Sequence, residues 1–223
     1  GINMFADNKL LQDSVMLDNQ VLINYIKDSL GGVVPATYAA PQGRITVIAT
    51  PYTDVLDGNW AVEAVNYVTD KNFMKGLSET TFGPNGALTR GMLVTVLYRM
   101  AGSPAVTGKV SEKFSDCTDG SWYADAVLWA SANGIVNGYE DGTFGPDKTV
   151  TREQMATILY RYADTMGDNV AVSGNLNAYT DKDKVGSYAV TPMTWAVEHG
   201  IITGTTGTTL SPKSTTTLGR SEE

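Results

Sequence analysis

The sequence predicts a mainly α protein built from three helix–turn–helix repeats, the third incomplete, behind a short α/β leader. Three observations carry that expectation. One turn-rich stretch occurs twice, as GLSETTFGPNGALTRGM at 76–92 and GYEDGTFGPDKTVTREQ at 138–154. Trp60, Gly76, Phe82, Thr89, Arg90 and Tyr98 recur as Trp122, Gly138, Phe144, Thr151, Arg152 and Tyr160, every pair 62 residues apart. Within each copy the apolar residues fall at helical spacing, and self-similarity at a fixed period marks a repeat architecture.

The leader comes first. Val21, Leu22, Tyr25, Ile26 and Leu30 mark a helix at about 18–30, ended by Gly31-Gly32 and followed by a strand at 44–49. Each repeat then opens on an aromatic-x-Asp triplet: Tyr52-Thr53-Asp54, Phe114-Ser115-Asp116 and Tyr179-Thr180-Asp181. A helix follows, for example WYADAVLWASANG at 122–134, with Trp122, Ala126, Trp129 and Ala130 on one apolar face. Gly134 supplies the left-handed residue that commonly stops a helix. Turn signals such as Asp-Gly and Gly-Pro then surround one aromatic, Phe144 in the second copy. A second helix opens at Thr151, whose hydroxyl and Gln154 form a capping box, with Met155, Ile158, Leu159 and Tyr162 as its stripe. The first copy keeps Leu93, Val96 and Leu97, but Gly91-Met92 replaces the box, so that start is weaker by a fraction of ~1 kcal/mol. Two short helices cannot bury a core alone, so the units must pack on one another. The linkers at 101–113 and 167–177 are expected on the surface.

The third copy breaks the pattern. Tyr188, Gly204, Leu210 and Thr217 hold the tryptophan, glycine, phenylalanine and threonine positions, but Leu218 stands at the arginine position. Arg220 is two residues out of register, so no second helix and no third ligand groove of the usual kind are expected.

Composition narrows the function. The chain has 223 residues, 42% apolar and 18% charged, which suits a folded protein. No apolar run approaches the ~18 residues of a membrane span, so membrane insertion is not expected. GINMFADNKLL lacks a secretory signal and reads as the start of an internal fragment. The single Cys117 excludes an internal disulfide framework and a Cys-cluster metal site, and the single His199 excludes a multi-His site. His199 reads as a helix C-terminal residue near the negative end of the dipole. With a net charge of −8 and no basic stripe, a nucleic-acid partner is not expected. Asp181-Lys-Asp183 and Glu140-Asp141-Gly142 do not fit a calcium loop, since Pro192 stands where the bidentate Glu would be. Neither metal, cofactor nor catalysis is expected of this chain.

The aromatic-x-Asp opening, Gly-Tyr-x-Asp-Gly-Thr-Phe-x-Pro and Thr-Arg-Glu resemble the S-layer homology repeat of bacterial surface proteins. The likeness covers 51–102, 113–165 and a truncated copy at 178–218. It implies a three-pronged, pseudo-threefold spindle that binds secondary cell-wall polysaccharide, often bearing ketal-linked pyruvate, and anchors exported proteins outside the cell. Oligomeric state stays open.

The resemblance and the residues meet at Arg90 and Arg152. A helix N-terminus offers unpaired N–H groups, and a guanidinium beside it adds a fork for a carboxylate, together worth ~1.5–3 kcal/mol. The other reading is a structural arginine paired with a neighbouring acidic residue. Trp60 and Trp122 suit core packing at a helix start, or a groove-edge ring stacked on a sugar. Asp54 and Asp116 read as cap or turn residues first and ligand contacts second, and Gly76 and Gly138 as backbone devices that let a sugar approach. Because the overall charge opposes an anionic polymer, association is expected to be slow or cation-screened.

The leader resembles the end of a 5'-nucleotidase C-terminal domain, with Gly1 as the last glycine of its motif, Met4-Phe5 after it and Pro41-x-Gly-Arg-Ile45 near its close. That likeness implies a nucleotide-hydrolysing parent enzyme whose metal-binding domain lies upstream. A surface-lattice assembly role is the remaining alternative.

Overall fold

The computed structural model describes residues 50–55 and 62–216. Residues 1–49 of the leader (1–50), Trp60, Thr217, Leu218 and Arg220 lie outside the described residues. Among the described residues five α-helices follow one another: α1 (Val62–Asp70), α2 (Arg90–Met100), α3 (Ala124–Ala132), α4 (Arg152–Met166) and α5 (Val190–Glu198). Among the described residues there is no strand, only isolated bridges such as Thr89 to Thr149 and Thr151 to Thr215. The mainly helical class is what the periodicity called for.

The helix ends obey the local chemistry. Thr151 caps α4 in a complete capping box, and its counterpart Thr89 caps α2 by accepting from the Met92 N–H alone. The three first helices all stop on a left-handed residue: Asn72 at φ 57°, Gly134 at φ 71° and Gly200 at φ 64°. Asparagine tolerates that region better than other side-chain-bearing residues, which explains why the first repeat dispenses with glycine. The amide of the next residue reaches back to the helix each time, at 2.8 Å from Phe73 to Val68, 2.8 Å from Ile135 to Ala130 and 2.7 Å from Ile201 to Ala196.

Packing crosses the repeats rather than staying within them. The second helix of one repeat lies on the first helix of the next, α2 on α3 and α4 on α5. Tyr98 meets Trp129 and Tyr160 meets Trp195 at these two crossings, with ring centroids 5.7 and 5.6 Å apart. Leu97, Leu159 and Tyr162 are fully buried there, as are Phe144 and Leu210 in the turns. The linkers run over the surface as expected, save that Val110 and Leu176 reach into the core. Cys117 is buried as well, and burial pushes its thiol up to about 12, so it is an inert packing residue.

One ring of hydrogen bonds ties the three repeats together. Leu88 donates to Thr216, Val150 donates to Leu88, and Thr216 donates to Val150, at 3.0, 3.0 and 2.8 Å. These residues hold equivalent positions in the three turns, so the contact closes on itself. The Thr216 hydroxyl adds a second bond to the Val150 carbonyl at 2.9 Å.

The opening aspartates staple each turn to its repeat. Asp54 accepts from the amides of Phe82 and Gly83, Asp116 from Phe144 and Gly145, and Asp181 from Leu210 and Ser211, all within 2.7–2.9 Å. Burial disfavours each charge, but the two donated N–H groups outweigh it and hold all three carboxyls below their ordinary 3.8. Because the folded-state values are lowered, this stabilisation is complete above the ordinary value and disappears as pH falls through the lowered ones. A series of thermal melts is expected to hold steady between neutral pH and about pH 5 and to drop below about pH 4. A decline confined to the range above about pH 5 would contradict the staple account.

Candidate ligand site at the repeat junctions

Arg90 and Arg152 stand at the first positions of α2 and α4, and both are buried, at 6% and 3% exposure. Neither pairs with a carboxylate among the described residues. Arg90 donates from Nε to the Phe144 carbonyl at 2.9 Å and from Nη2 to the Asn137 carbonyl at 3.1 Å. Arg152 repeats the arrangement in the next turn, to Leu210 at 2.7 Å and Thr203 at 2.5 Å. Each arginine therefore clamps the turn of the following repeat. Burial lowers both from their ordinary value, opposed at Arg90 by Tyr139, Asp116 and Tyr188 and at Arg152 by Asp181 and Tyr179.

The expectation of free helix-end donors is corrected here. The Arg90 and Gly91 amides donate to Lys148 and Pro146, and those of Arg152 and Glu153 to Ser214 and Pro212, all within 2.8–3.0 Å. The next two amides of each helix go to the capping threonine, Met92 and Gln154 to its hydroxyl and Leu93 and Met155 to its carbonyl. The first turns are satisfied inside the protein because the neighbouring repeat presses its turn carbonyls onto them. Any ligand carboxylate must find its donors elsewhere.

Around Arg90 the surface becomes aromatic and basic. Its guanidinium carbon lies 4.8 Å from the Phe144 ring centroid and 5.0 Å from that of Tyr139. The exposed Lys148 places its ammonium 4.0 Å from the same Tyr139 ring. Tyr188, from the third repeat, is 51% exposed and lies within electrostatic reach of both Arg90 and Tyr139. Its hydroxyl donates to Glu153 at 2.8 Å, and burial with that carboxylate pushes the phenol up. Glu153 is itself buried. Burial opposes its charge, but Lys213 at 2.5 Å, the Gly186 amide at 2.9 Å and Tyr188 hold it below its ordinary value. The patch thus draws Arg90 from the first repeat, Tyr139, Lys148 and Glu153 from the second, and Tyr188 and Lys213 from the third.

The other expected site residues separate into frame and surface. Asp54 and Asp116 are the turn staples. A Cβ at Gly138 would sit 2.5 Å from the Phe114 ring and 2.8 Å from the Thr143 carbonyl, and one at Gly76 would meet Tyr52 and Thr81 at 2.7 and 2.8 Å. The close approach that glycine permits there is by the repeat's own aromatic. Trp122, expected on the buried face of its helix, is 56% exposed. It precedes the first helical residue, Ala124, and so falls off the stripe that buries Ala126, Trp129 and Ala130. Its ring instead covers Gly91, where an added Cβ would come within 3.3 Å of the indole. Tyr139, Lys148, Glu153 and Lys213 were not singled out by sequence as site residues. The signal present was that Tyr139 and Lys148 lie inside the duplicated turn yet have no like residue in the other copies.

The S-layer homology domain profile matches residues 51–91, 113–156 and 178–219. An amylopullulanase of Thermoanaerobacterium thermosulfurigenes is 26% identical over 201 residues, 84% of this chain and 10% of the relative. A cellulosome-anchoring protein of Acetivibrio thermocellus is 29% identical over 113 residues, 49% of this chain and 25% of the relative. An S-layer protein of Bacillus thuringiensis subsp. finitimus is 24% identical over 195 residues, 87% of this chain and 23% of the relative. The chain spans a quarter or less of these curated relatives. Three profile matches in the register of the three structural repeats, together covering more than half of the residues, show that the chain belongs to the S-layer homology domain family.

Proposed function

We propose that this chain is a non-catalytic anchoring module that holds a larger protein to the bacterial cell surface by binding an anionic cell-wall polysaccharide. Its place is the cell surface, shared with relatives that include S-layer and cellulosome-anchoring proteins. One observation carries the ligand class. In a chain of net charge −8, a guanidinium within about 5 Å of two ring centroids and a second cation on one of those rings stand within electrostatic reach of a half-exposed tyrosine from the third repeat. Exposed rings give a sugar an apolar face to stack on, and the cations give its carboxylate a counter-charge. Ketal-linked pyruvate supplies such a carboxylate.

In this reading Arg90 and Lys148 supply charge, and Tyr188, Trp122 and Trp60 supply stacking surface. Arg152 clamps the last turn and backs the equivalent junction. Asp54, Asp116, Gly76 and Gly138 keep the turns in shape. The three repeats stand as a spindle about the closed ring of Leu88, Val150 and Thr216, and the ring supports that arrangement. The leader's likeness to a 5'-nucleotidase domain makes a nucleotide-hydrolysing enzyme the proposed parent.

Co-sedimentation tests the reading. The chain is expected to pellet with sacculi that retain their polysaccharide and to stay in solution with sacculi stripped of it by hydrofluoric acid. Equal pelleting with both preparations would rule out the polysaccharide as the anchor.

A further inference from the structure

Three Asn-Gly pairs stand among the described residues: Asn85-Gly86, Asn133-Gly134 and Asn137-Gly138. We infer that Asn137-Gly138 is a site of spontaneous covalent modification, deamidation through a cyclic imide, and that the product loosens the clamp between the first and second repeats. Glycine after asparagine favours this reaction because the missing Cβ leaves the next amide nitrogen open to attack.

The Gly138 nitrogen bonds to the side-chain carbonyl carbon of Asn137. The side-chain NH2 leaves with the proton of that nitrogen as ammonia, and a five-membered imide remains. Water then opens the imide at one of its two carbonyls. Opening at the side-chain carbonyl gives aspartate. Opening at the main-chain carbonyl gives isoaspartate, in which the chain runs through the former side chain and the main-chain carbonyl has become a free carboxylate. Nothing is oxidised or reduced, and each event adds one negative charge.

The fold selects among the three pairs. At Asn133 the side-chain Nδ2 donates to the Trp129 carbonyl at 2.8 Å, and the Gly134 amide donates to Ser131 at 3.3 Å. The Gly86 amide donates to Gly83 at 2.8 Å. Asn137 is exposed and outside any helix, and neither its side chain nor the Gly138 amide makes a hydrogen bond among the described residues. Both reacting groups are therefore free at this pair alone. The equivalent glycines, Gly76 and Gly204, follow Lys75 and Thr203, so the reactive pair is peculiar to the second repeat.

The position matters because the Asn137 carbonyl is the acceptor for Arg90 Nη2, at 3.1 Å. Isoaspartate lengthens the main chain by one carbon beside Gly138, where an added Cβ would already lie 2.5 Å from the Phe114 ring. That added length has no room, so the turn must shift away from Arg90. The consequence for anchoring rests on the function proposed above: a carboxylate at residue 137 competes with an anionic polymer for the Arg90 guanidinium.

Incubation of the full chain in warm, mildly alkaline buffer, followed by mass spectrometry, tests this. Fragmentation of the tryptic peptide 114–148 separates Asn133 from Asn137. The folded chain is expected to gain the deamidation mass at Asn137 first, with Asn85 and Asn133 slower by about fivefold or more because a hydrogen bond must break before attack. In urea the three pairs are expected to react alike. The aged chain is expected to melt roughly 2–4 °C lower and to pellet less with sacculi. Asn137→Thr, which copies the third repeat, is expected to melt with the fresh parent and to keep its melting temperature and pelleting through the same incubation. Equal rates at the three pairs in the folded chain, or faster reaction at Asn85 or Asn133, would overturn the inference. Modification at Asn137 with an unchanged melt would overturn the loosening of the clamp. A fresh chain that does not pellet at all would remove the anchoring function while leaving the modification site standing.

Discussion

Arg152→Ala is expected to lower the stability of the fold by about 3 kcal/mol, seen as a melting temperature reduced by roughly 6–12 °C. The side chain is 3% exposed and bonds two carbonyls of the following turn, those of Leu210 and Thr203. Truncation leaves both acceptors without their charged donor and opens a void beneath the turn. The relief of no longer burying a charge is smaller, since those carbonyls already compensate it. Arg152→Lys is expected to fall between the two, because an ammonium is a point donor and cannot reproduce the planar fork. A purely ligand-binding arginine would behave otherwise, with affinity lost and the melt unchanged. An Arg152→Ala chain that melts within a degree or so of the parent would remove the clamp as an explanation of the fold.

The same residue shows where sequence reasoning stopped. A cation at the mouth of a helix was legible, as were the capping box, the stripe of Met155, Ile158, Leu159 and Tyr162, and the glycine stop at 134. All of these are local, fixed by residues within a turn or two of one another. What was not legible is which long-range partner satisfies a polar group. Arg90 meets carbonyls about fifty residues downstream, and the helix-end amides are closed by Lys148, Pro146, Ser214 and Pro212. Backbone carbonyls carry no sequence signature, so an expectation built from side chains looks for a carboxylate and finds none. The core-packing reading of Trp122 failed for a different reason. A helix boundary two residues later than expected moves a ring from a buried stripe to an exposed rim, and boundaries are the least certain part of a periodicity argument. The site shows the converse. Tyr139 and Lys148 are legible only as departures from the repeat, and a departure acquires meaning once their 4.0 Å contact is known.

A chain ending at Asn177, without the third repeat, is expected to lose its cooperative melt altogether. In an open array of repeats, removing an end unit costs one interface, and the rest stays folded. Here the third repeat touches both of its neighbours. Without it Leu88 loses the acceptor at Thr216, and the Val150 carbonyl loses both the Thr216 amide and hydroxyl. On the other side α4 loses α5, the clamp of Arg152 on Leu210 and Thr203, the carbonyls over its first turn, and the Glu153 bonds to Gly186, Tyr188 and Lys213. Arg152 and Glu153 are then left without their partners, so water must enter or the turn must open. The combined loss exceeds about 5 kcal/mol, which is comparable to the whole stability of a typical domain. Circular dichroism of the shortened chain is the measurement, with a broad, low-temperature transition as the expected result. A sharp melt close to that of the parent would mean that the first two repeats fold as an independent pair. The ring through Leu88, Val150 and Thr216 would then be a consequence of folding rather than one of its causes, and a site assembled from all three repeats would have to be reconsidered with it.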